Sequence, residues 1–441
     1  MKYWKEYKGH KADLQGVRNK FDNNIYTFDI ETTSYLILND KQIPAIDYLS
    51  LSKKEQESCI FQSNMYIWMF GINDTIYYGR TWEDLKNLLL RIDFWTNECR
   101  KFVYVHNLPW EFQFLRNAFK VKNVFARKSR KPLMFDLVDY HFSFRCTLSM
   151  SNCALDKLSD IYKLPVEKLT GNLDYYKMRN SKTKLSEKEL KYCENDCLVV
   201  YEYIKKELRE YKTLKKIPLT STGHVRKEFK ERIDKNYKYK WQVKRSVNTN
   251  PHIFNLLQDA FQGGYTHGNW IFVDEIISNV TSYDFVSSYP YVMLTEKYPA
   301  REFKKCNITT INQILPEFAY IVRIKFKNIK CKYYNNFISY SKCNDILNGR
   351  YDNGRVISAD ELEIVLTDID LKFIFDTYEF DKYEFIEVYY SRYDYLPIDF
   401  MYFILEKYIN KTELKDVKGK EIEYSLEKNK FNSLYRNECY K

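Results

Sequence analysis

The stretch IYTFDIET, residues 25–32, decides how the rest of the chain is read. The alternation of large apolar residues from Ile25 to Ile30 predicts a β-strand. Asp29 and Glu31 stand at i and i+2, so both project from one side of the strand end. Two carboxylates held so close repel each other unless a cation neutralises them. Mg²⁺ and Mn²⁺ are hard cations that prefer such oxygen ligands.

Further strands and helices follow in alternation. Ile60 to Ile76 contains two strand-like runs around a turn at Gly71 to Asp74. TWEDLKNLLLRI, residues 81–92, has helical spacing with acidic residues in its first turn. Lys101 to Val105 reads as a strand, with an apolar helix from about Trp110. This order predicts an α/β domain. SEKELKYCENDCLVVYEYI, residues 186–204, reads as a helix: Ser186 can cap it, and Glu189 follows three residues later as in a capping box.

Tyr192 and Asp196 share one face of that helix. Glu111, in VHNLPWEFQFL, supplies an acidic group between the strand and the helix. Acidic residues from a strand, a strand-to-helix junction and a helix make a coherent two-metal site. There the ions bind a scissile phosphate, and one lowers the pKa of an attacking water. The Tyr192 hydroxyl can orient that water.

Composition narrows the function classes. A hydrophobic content of 45% with 17% aromatics excludes a disordered chain. Seventy Lys and Arg against 59 Asp and Glu leave a net charge of +11, which suits a phosphate-bearing partner. The ten cysteines form no CxxC pair, and only six histidines are present. Free thiols in a reducing cytoplasm fit better than a zinc site. The N-terminal MKYWKEYKGHK is polar, and no apolar run is long enough to span a bilayer, so no membrane partner is expected.

FDIET, HNLPWEFQF and YCEND, in this order, resemble the three exonuclease motifs of the 3′–5′ proofreading domain of family B DNA polymerases. The resemblance implies an α/β, RNase H-like exonuclease domain with a mixed sheet over residues 1–215. It implies Asp29, Glu31 and Asp196 as ligands of a two-ion Mg²⁺ (or Mn²⁺) site, with Tyr192 as the water-orienting phenol. Glu111 stands where the family carries aspartate. Thr32, His106, Asn107, Thr147 and Leu148 match residues that hold the single-stranded 3′ end. Lys168, in KLPVEKLTGN, matches the lysine that steadies the scissile phosphate.

The charged run Lys205 to Lys216 reads as a boundary, with a second unit from about Ile217. FQGGY, residues 261–265, resembles the YxGG linker, which implies Phe261, Gly263 and Gly264 as DNA-binding. Paired glycines let backbone approach phosphates closely and adopt positive φ. Ser282 to Tyr289 reads as a strand leading into a turn at Pro290. Its YDFVSSYPYVM resembles polymerase motif A. That implies Asp284 as a metal ligand, Ser287 and Ser288 at a triphosphate-cradling turn, and Tyr289 beneath the sugar.

Residues 299–398 fall where protein-primed members insert a segment that grips the terminal protein and the template duplex. Asp368 and Asp370, in LTDIDL, precede the fingers and read as a solvated turn rather than as the second palm carboxylates. LEKNKFNSLY resembles motif B, with Lys428, Asn432 and Tyr435 on one helical face. Lys411 is a further candidate phosphate contact. Arg436 replaces the glycine usual in the family.

The resemblance thus implies a partial α+β palm over 216–298, the insert over 299–398 and the start of the fingers over 399–441. The second palm aspartates and thumb have no counterpart before Lys441, so the dNTP site is expected to be incomplete. The implied function is viral or plasmid DNA replication by a protein-primed family B DNA polymerase with a 3′–5′ exonuclease, in the host cell cytoplasm. Implied partners are single-stranded 3′ ends, primer-template DNA, a terminal protein and a C-terminal polymerase fragment. Synthesis by this chain alone is not expected. Two other readings are a stand-alone exonuclease and a DNA- or terminal-protein-binding module.

Overall fold

In the computed structural model the described residues are 1–14, 20–169, 174, 176–234, 250–266, 268, 270–334 and 336–438. The side chains at 127, 233, 234, 270, 422 and 433–438 lie outside the description. The chain divides into two compact units, Met1–Glu228 with Ile409–Lys441, and Phe229–Tyr408.

The strands of the first unit are β1 (Lys2–Tyr3), β2 (Tyr26–Leu38), β3 (Lys41–Pro44), β4 (Ile60–Ile72), β5 (Thr75–Gly79), β6 (Lys101–Val105), β7 (Val121–Lys128), β8 (Lys131–Leu137) and β9 (Phe142–Cys146). They form one sheet in the order β1-β5-β4-β2-β6-β9-β8-β7, with β3 on β2. The sheet is mixed: β2–β6 and β6–β9 are parallel, whereas β2–β4 is antiparallel. The helices of this unit are α1 (Lys53–Ser58), α2 (Trp82–Trp95), α3 (Leu108–Ala118), α4 (Thr147–Ser151), α5 (Leu155–Tyr162) and α6 (Glu187–Tyr211), and the division at Glu228 falls within the next helix, α7 (Ser221–Asp234).

Period-2 alternation sends Phe28 and Ile30 of β2 into a core shared with Trp68, Phe70, Val103 and the apolar face of α2. The opposite face of β4, with Ile67 and Met69, packs against Cys193 and Cys197 of α6. Asp29 and Glu31 lie on that second face, under α6. Ser186 accepts from the Glu189 N–H, and Glu189 Oε2 accepts from the Ser186 N–H at 2.7 Å, so the expected capping box forms. The charged residues from Lys205 to Tyr211 continue α6.

The second unit contains α8 (Pro251–Ala260), α9 (Ser288–Thr295) and α10 (Asp368–Thr377). Its strands are β10 (Tyr298–Pro299), β11 (Lys304–Lys305), β12 (Phe318–Cys331), β13 (Cys343–Leu347), β14 (Arg350–Asp352), β15 (Arg355–Thr367), β16 (Tyr378–Glu379) and β17 (Lys382–Asp394). Three long antiparallel strands, β17-β12-β15, form the centre of its sheet. Two further helices, α11 (Ile398–Glu413) and α12 (Glu421–Glu438), follow, with the break near Gly419 that the sequence suggests.

Two expectations for this region need correction. The strand expected from Ser282 to Tyr289 does not form: 282–287 lie in coil and turn, and Ser288, Tyr289 and Pro290 open α9 instead of a turn. A strand needs neighbours for its backbone groups, and among the described residues none pairs with this segment. Asp368 is not solvated: it is buried at the start of α10, accepting from the Tyr320 N–H at 2.9 Å and from the Tyr393 hydroxyl. The nine described cysteines are free. No helix among the described residues is long and apolar enough to cross a membrane.

Lys101 is fully buried, and its ammonium donates to Asp93 Oδ1 at 2.6 Å and to the Cys99 carbonyl at 2.6 Å. Asp93→Ala strands that charge and should destabilise the chain by about 3–5 kcal/mol. Glu83→Ala, which breaks a solvent-exposed pair with Lys86, should change stability by less than about 1 kcal/mol. Urea denaturation of both variants checks the contrast, and equal losses would contradict it.

Candidate active site

β2 and α6 together bring three carboxylates to one point. Asp29 and Glu31 come from β2, whose register shifts between Glu31 and Thr32. Such a bulge re-aims side chains at the end of a pairing. Asp196 comes from α6. One carboxylate oxygen from each of the three lies within 4.8 Å of the others. Hard oxygen donors at this spacing suit a divalent cation. A second observation agrees with a cation: Asp196 Oδ1 is buried with no hydrogen-bond partner.

The electrostatics follow from burial and repulsion. Burial pushes the Asp29 carboxyl well above its ordinary range, and Glu31, Asp196 and Glu111 push it further. Burial and Asp196 raise Glu31 to about 7. Burial raises Asp196 to about 6, opposed by Lys168. Glu111, in the first turn of α3, is only 4% exposed; burial raises it to about 8, and Glu31 adds to the shift. Its Oε2 is also buried without a partner. Glu111 therefore faces the group electrostatically but is not one of the three converging carboxylates.

Lys168 reaches the same point, its Nζ 3.7 Å from Asp196 Oδ2. Tyr192 is half-buried on α6, four residues before Asp196. The adjoining ends of β6 and β9 carry a second group. His106 Nδ1 lies 3.1 Å from Thr147 Oγ1, and Thr147 also donates to the Val105 carbonyl. Burial first, and then Lys168, lower His106 to about 4, so the ring is neutral at pH 7. Asn107 occupies the left-handed region at φ 65° as α3 begins, and Leu148 packs at the core edge. Thr32 follows directly on the bulge.

In the second unit Asp284 is exposed, and among the described residues no acidic cluster includes it. Ser287 has φ 55° and precedes α9, while Ser288 and Tyr289 open that helix. Gly263 has φ 72°, and a Cβ added at Gly264 would lie 3.7 Å from the Tyr289 hydroxyl, so the glycine pair and Tyr289 are neighbours. Phe261 is exposed.

In the first unit Lys411 lies over the Phe431 ring, and Lys428 is near enough to help depress its ammonium after burial. Lys428 and Asn432 are exposed on one face of α12. The side chain of Tyr435, like that of Arg436, lies outside the described residues. Sequence reading missed Arg179, buried beside Glu31. The only hint was its partner Glu189, visible as a capping residue.

This fold and these motifs define a class. The chain belongs to the DNA polymerases of type B, organellar and viral, whose family model matches residues 168–435. Among solved structures it resembles phi29 DNA polymerase in complex with primer-template DNA and incoming nucleotides. That match has 20% identity and TM-score 0.63, and covers 94% of this chain and 68% of the other. The complex of the same enzyme with single-stranded DNA gives 19% identity and TM-score 0.65, covering 94% and 67%. Its orthorhombic crystal form gives 18% and 0.66, covering 95% and 68%. No curated protein sequence matches the chain. The expected architecture, a mixed-sheet exonuclease-type domain followed by part of a polymerase fold, is therefore present.

Between the ordinary carboxylate range near pH 4 and about pH 8, the folded chain holds protons on these carboxyls that the unfolded chain has lost. Stability without metal should therefore fall as pH rises through this window. Added Mg²⁺, which favours the ionised form, should restore more at about pH 8 than at about pH 5. Melting temperatures in EDTA and in Mg²⁺ check this. A larger Mg²⁺ effect at the lower pH would contradict it.

Proposed function

We propose that this viral-type DNA polymerase chain carries a 3′–5′ exonuclease in residues 1–215, built on Asp29, Glu31 and Asp196. The observation that carries the reading is the convergence of those carboxylates within 4.8 Å, with Lys168 at their edge. The three carboxylates would hold Mg²⁺ or Mn²⁺, which when bound neutralises phosphate charge and makes a water more acidic. The Lys168 ammonium faces the scissile phosphate and offsets its charge. The Tyr192 hydroxyl orients the attacking water. His106, Asn107, Thr32, Thr147 and Leu148 form the floor that receives an unpaired 3′ end. The +11 net charge favours such a substrate.

For synthesis, Asp284 would supply one metal-binding carboxylate of a palm over 216–298, with Ser287, Ser288 and Tyr289 at the nucleotide. Lys411, Lys428, Asn432 and Tyr435 would contact the incoming triphosphate and base. Two-metal phosphoryl transfer needs more carboxylates than Asp284 alone, and the one group of three or more candidate ligands among the described residues does not include Asp284. The partners proposed with this reading are a terminal protein bound by 299–398 and a C-terminal polymerase fragment, in a host cell cytoplasm.

The purified chain with Mg²⁺ should shorten 5′-labelled single-stranded DNA one nucleotide at a time. Asp29→Ala and Asp196→Ala should each slow it by on the order of 10²–10³-fold, the size expected for losing one electrostatic stabiliser. Internal cuts, or full activity in Asp29→Ala, would overturn the assignment. Primer extension by the 441 residues alone should be absent, and robust extension would remove the need for a partner fragment.

A further inference from the structure

A second constellation centres on Arg179, close enough to Glu31 to act on its carboxyl. Arg179 is only 7% exposed. Its Nε and Nη2 both donate to Glu189 Oε1, at 2.8 and 2.7 Å. Its Nη1 donates to the carbonyls of Asp174 and Lys177, at 2.9 and 3.0 Å. Its backbone N–H donates to Thr33 Oγ1 at 3.0 Å. The guanidinium also lies over the Tyr66 ring of β4.

A buried cation is unfavourable unless fully paired.

The elements joined here explain its presence. Thr33 follows Glu31 by two residues on β2. Glu189 precedes Asp196 by seven residues on α6, two helical turns, so both lie on the same side of one rigid rod. Arg179 therefore ties the strand that carries two of the carboxylates to the helix that carries the third. A second arginine fastens the same strap. Arg80 donates through Nη2 to the carbonyls of Asn180 and Thr183, at 2.8 and 2.9 Å, and through Nε to the Tyr66 carbonyl at 2.6 Å.

The three carboxylates repel one another before any cation arrives. A link that fixes α6 against β2 resists their separation and keeps the ligand set formed.

We propose that Arg179 is a positioning residue of the nuclease site: with Glu189 and Thr33 it locks α6 to β2, so that Asp29, Glu31 and Asp196 are preset to receive a divalent cation. This inference rests on the nuclease reading above. It assigns Arg179 no contact with DNA, and its first consequence is on metal affinity rather than on chemistry at saturating metal. Outer partners that orient metal ligands typically affect affinity by about 10–100-fold.

The test uses the full chain. Arg179→Ala should raise the Mg²⁺ concentration for half-maximal single-stranded DNA degradation by about 10–100-fold. It should weaken Mn²⁺ binding, read by electron paramagnetic resonance, by a similar factor. The rate at saturating Mg²⁺ should be largely retained. Arg179→Lys keeps the charge without the fork and should recover only part of the affinity. Should Arg179→Ala fail to fold, Thr33→Val removes one anchor at constant shape and should shift Mg²⁺ dependence in the same direction.

A wild-type chain that cleaves DNA, with variants sharing its Mg²⁺ half-saturation and Mn²⁺ affinity, would overturn this inference alone. A wild-type chain that neither binds Mn²⁺ nor cleaves would overturn the nuclease reading and this inference together.

Discussion

Mutual repulsion among Asp29, Glu31 and Asp196 is the constraint around which the first unit is organised. Two unit charges 4.8 Å apart repel by about 3.5 kcal/mol at an effective dielectric of about 20. Three such pairs are tolerated because the surroundings oppose them. Lys168 stands at one edge, the Arg179–Glu189 strap behind, and partial protonation covers the remainder when no cation is bound. The scaffold is correspondingly rigid. β2 is paired on both sides, its core face is filled by Phe28 and Ile30, and α6 is capped at its first turn and seated on Ile67 and Met69. On the nuclease reading proposed above, such a scaffold would hold the carboxylates in place before a cation arrives.

The second unit contrasts with it. Its three-stranded centre is well packed, with Ile324, Leu362 and Ile364 fully buried. The segment that carries Asp284 is not part of that core. Tyr283 and Phe285, flanking the aspartate, are 91% and 87% exposed. An apolar stretch with an exposed carboxylate has the composition of a buried strand without the neighbours that would make it one. Asp284 itself is exposed, and among the described residues it belongs to no group of three or more candidate metal ligands.

What could be read from sequence follows this division between local and distant information. β2 was legible because alternation is local, and its DxE places two carboxylates together by strand geometry alone. α6 was legible from the Ser186 and Glu189 capping box. The relation between β2 and α6 rested on the order of the acidic elements and on the resemblance, because nothing local in residues 28–32 predicts residue 196. The strand expected from Ser282 to Tyr289 was misread for the converse reason: its local pattern is strand-like, but pairing depends on partners elsewhere. Asp368 looked solvated because the burial of a helix-start aspartate under Tyr320 and Tyr393 is a tertiary fact. Arg179 was visible only through Glu189. The residues around it show no periodicity, and its contact to Thr33 spans 146 residues of chain.

Anomalous diffraction at the manganese edge, on crystals of the chain soaked in Mn²⁺, addresses the convergence most directly. A peak coordinated by the carboxylates of Asp29, Glu31 and Asp196 is the expected result. A soaked crystal with no peak there, or with the three side chains turned to separate surfaces, would contradict it.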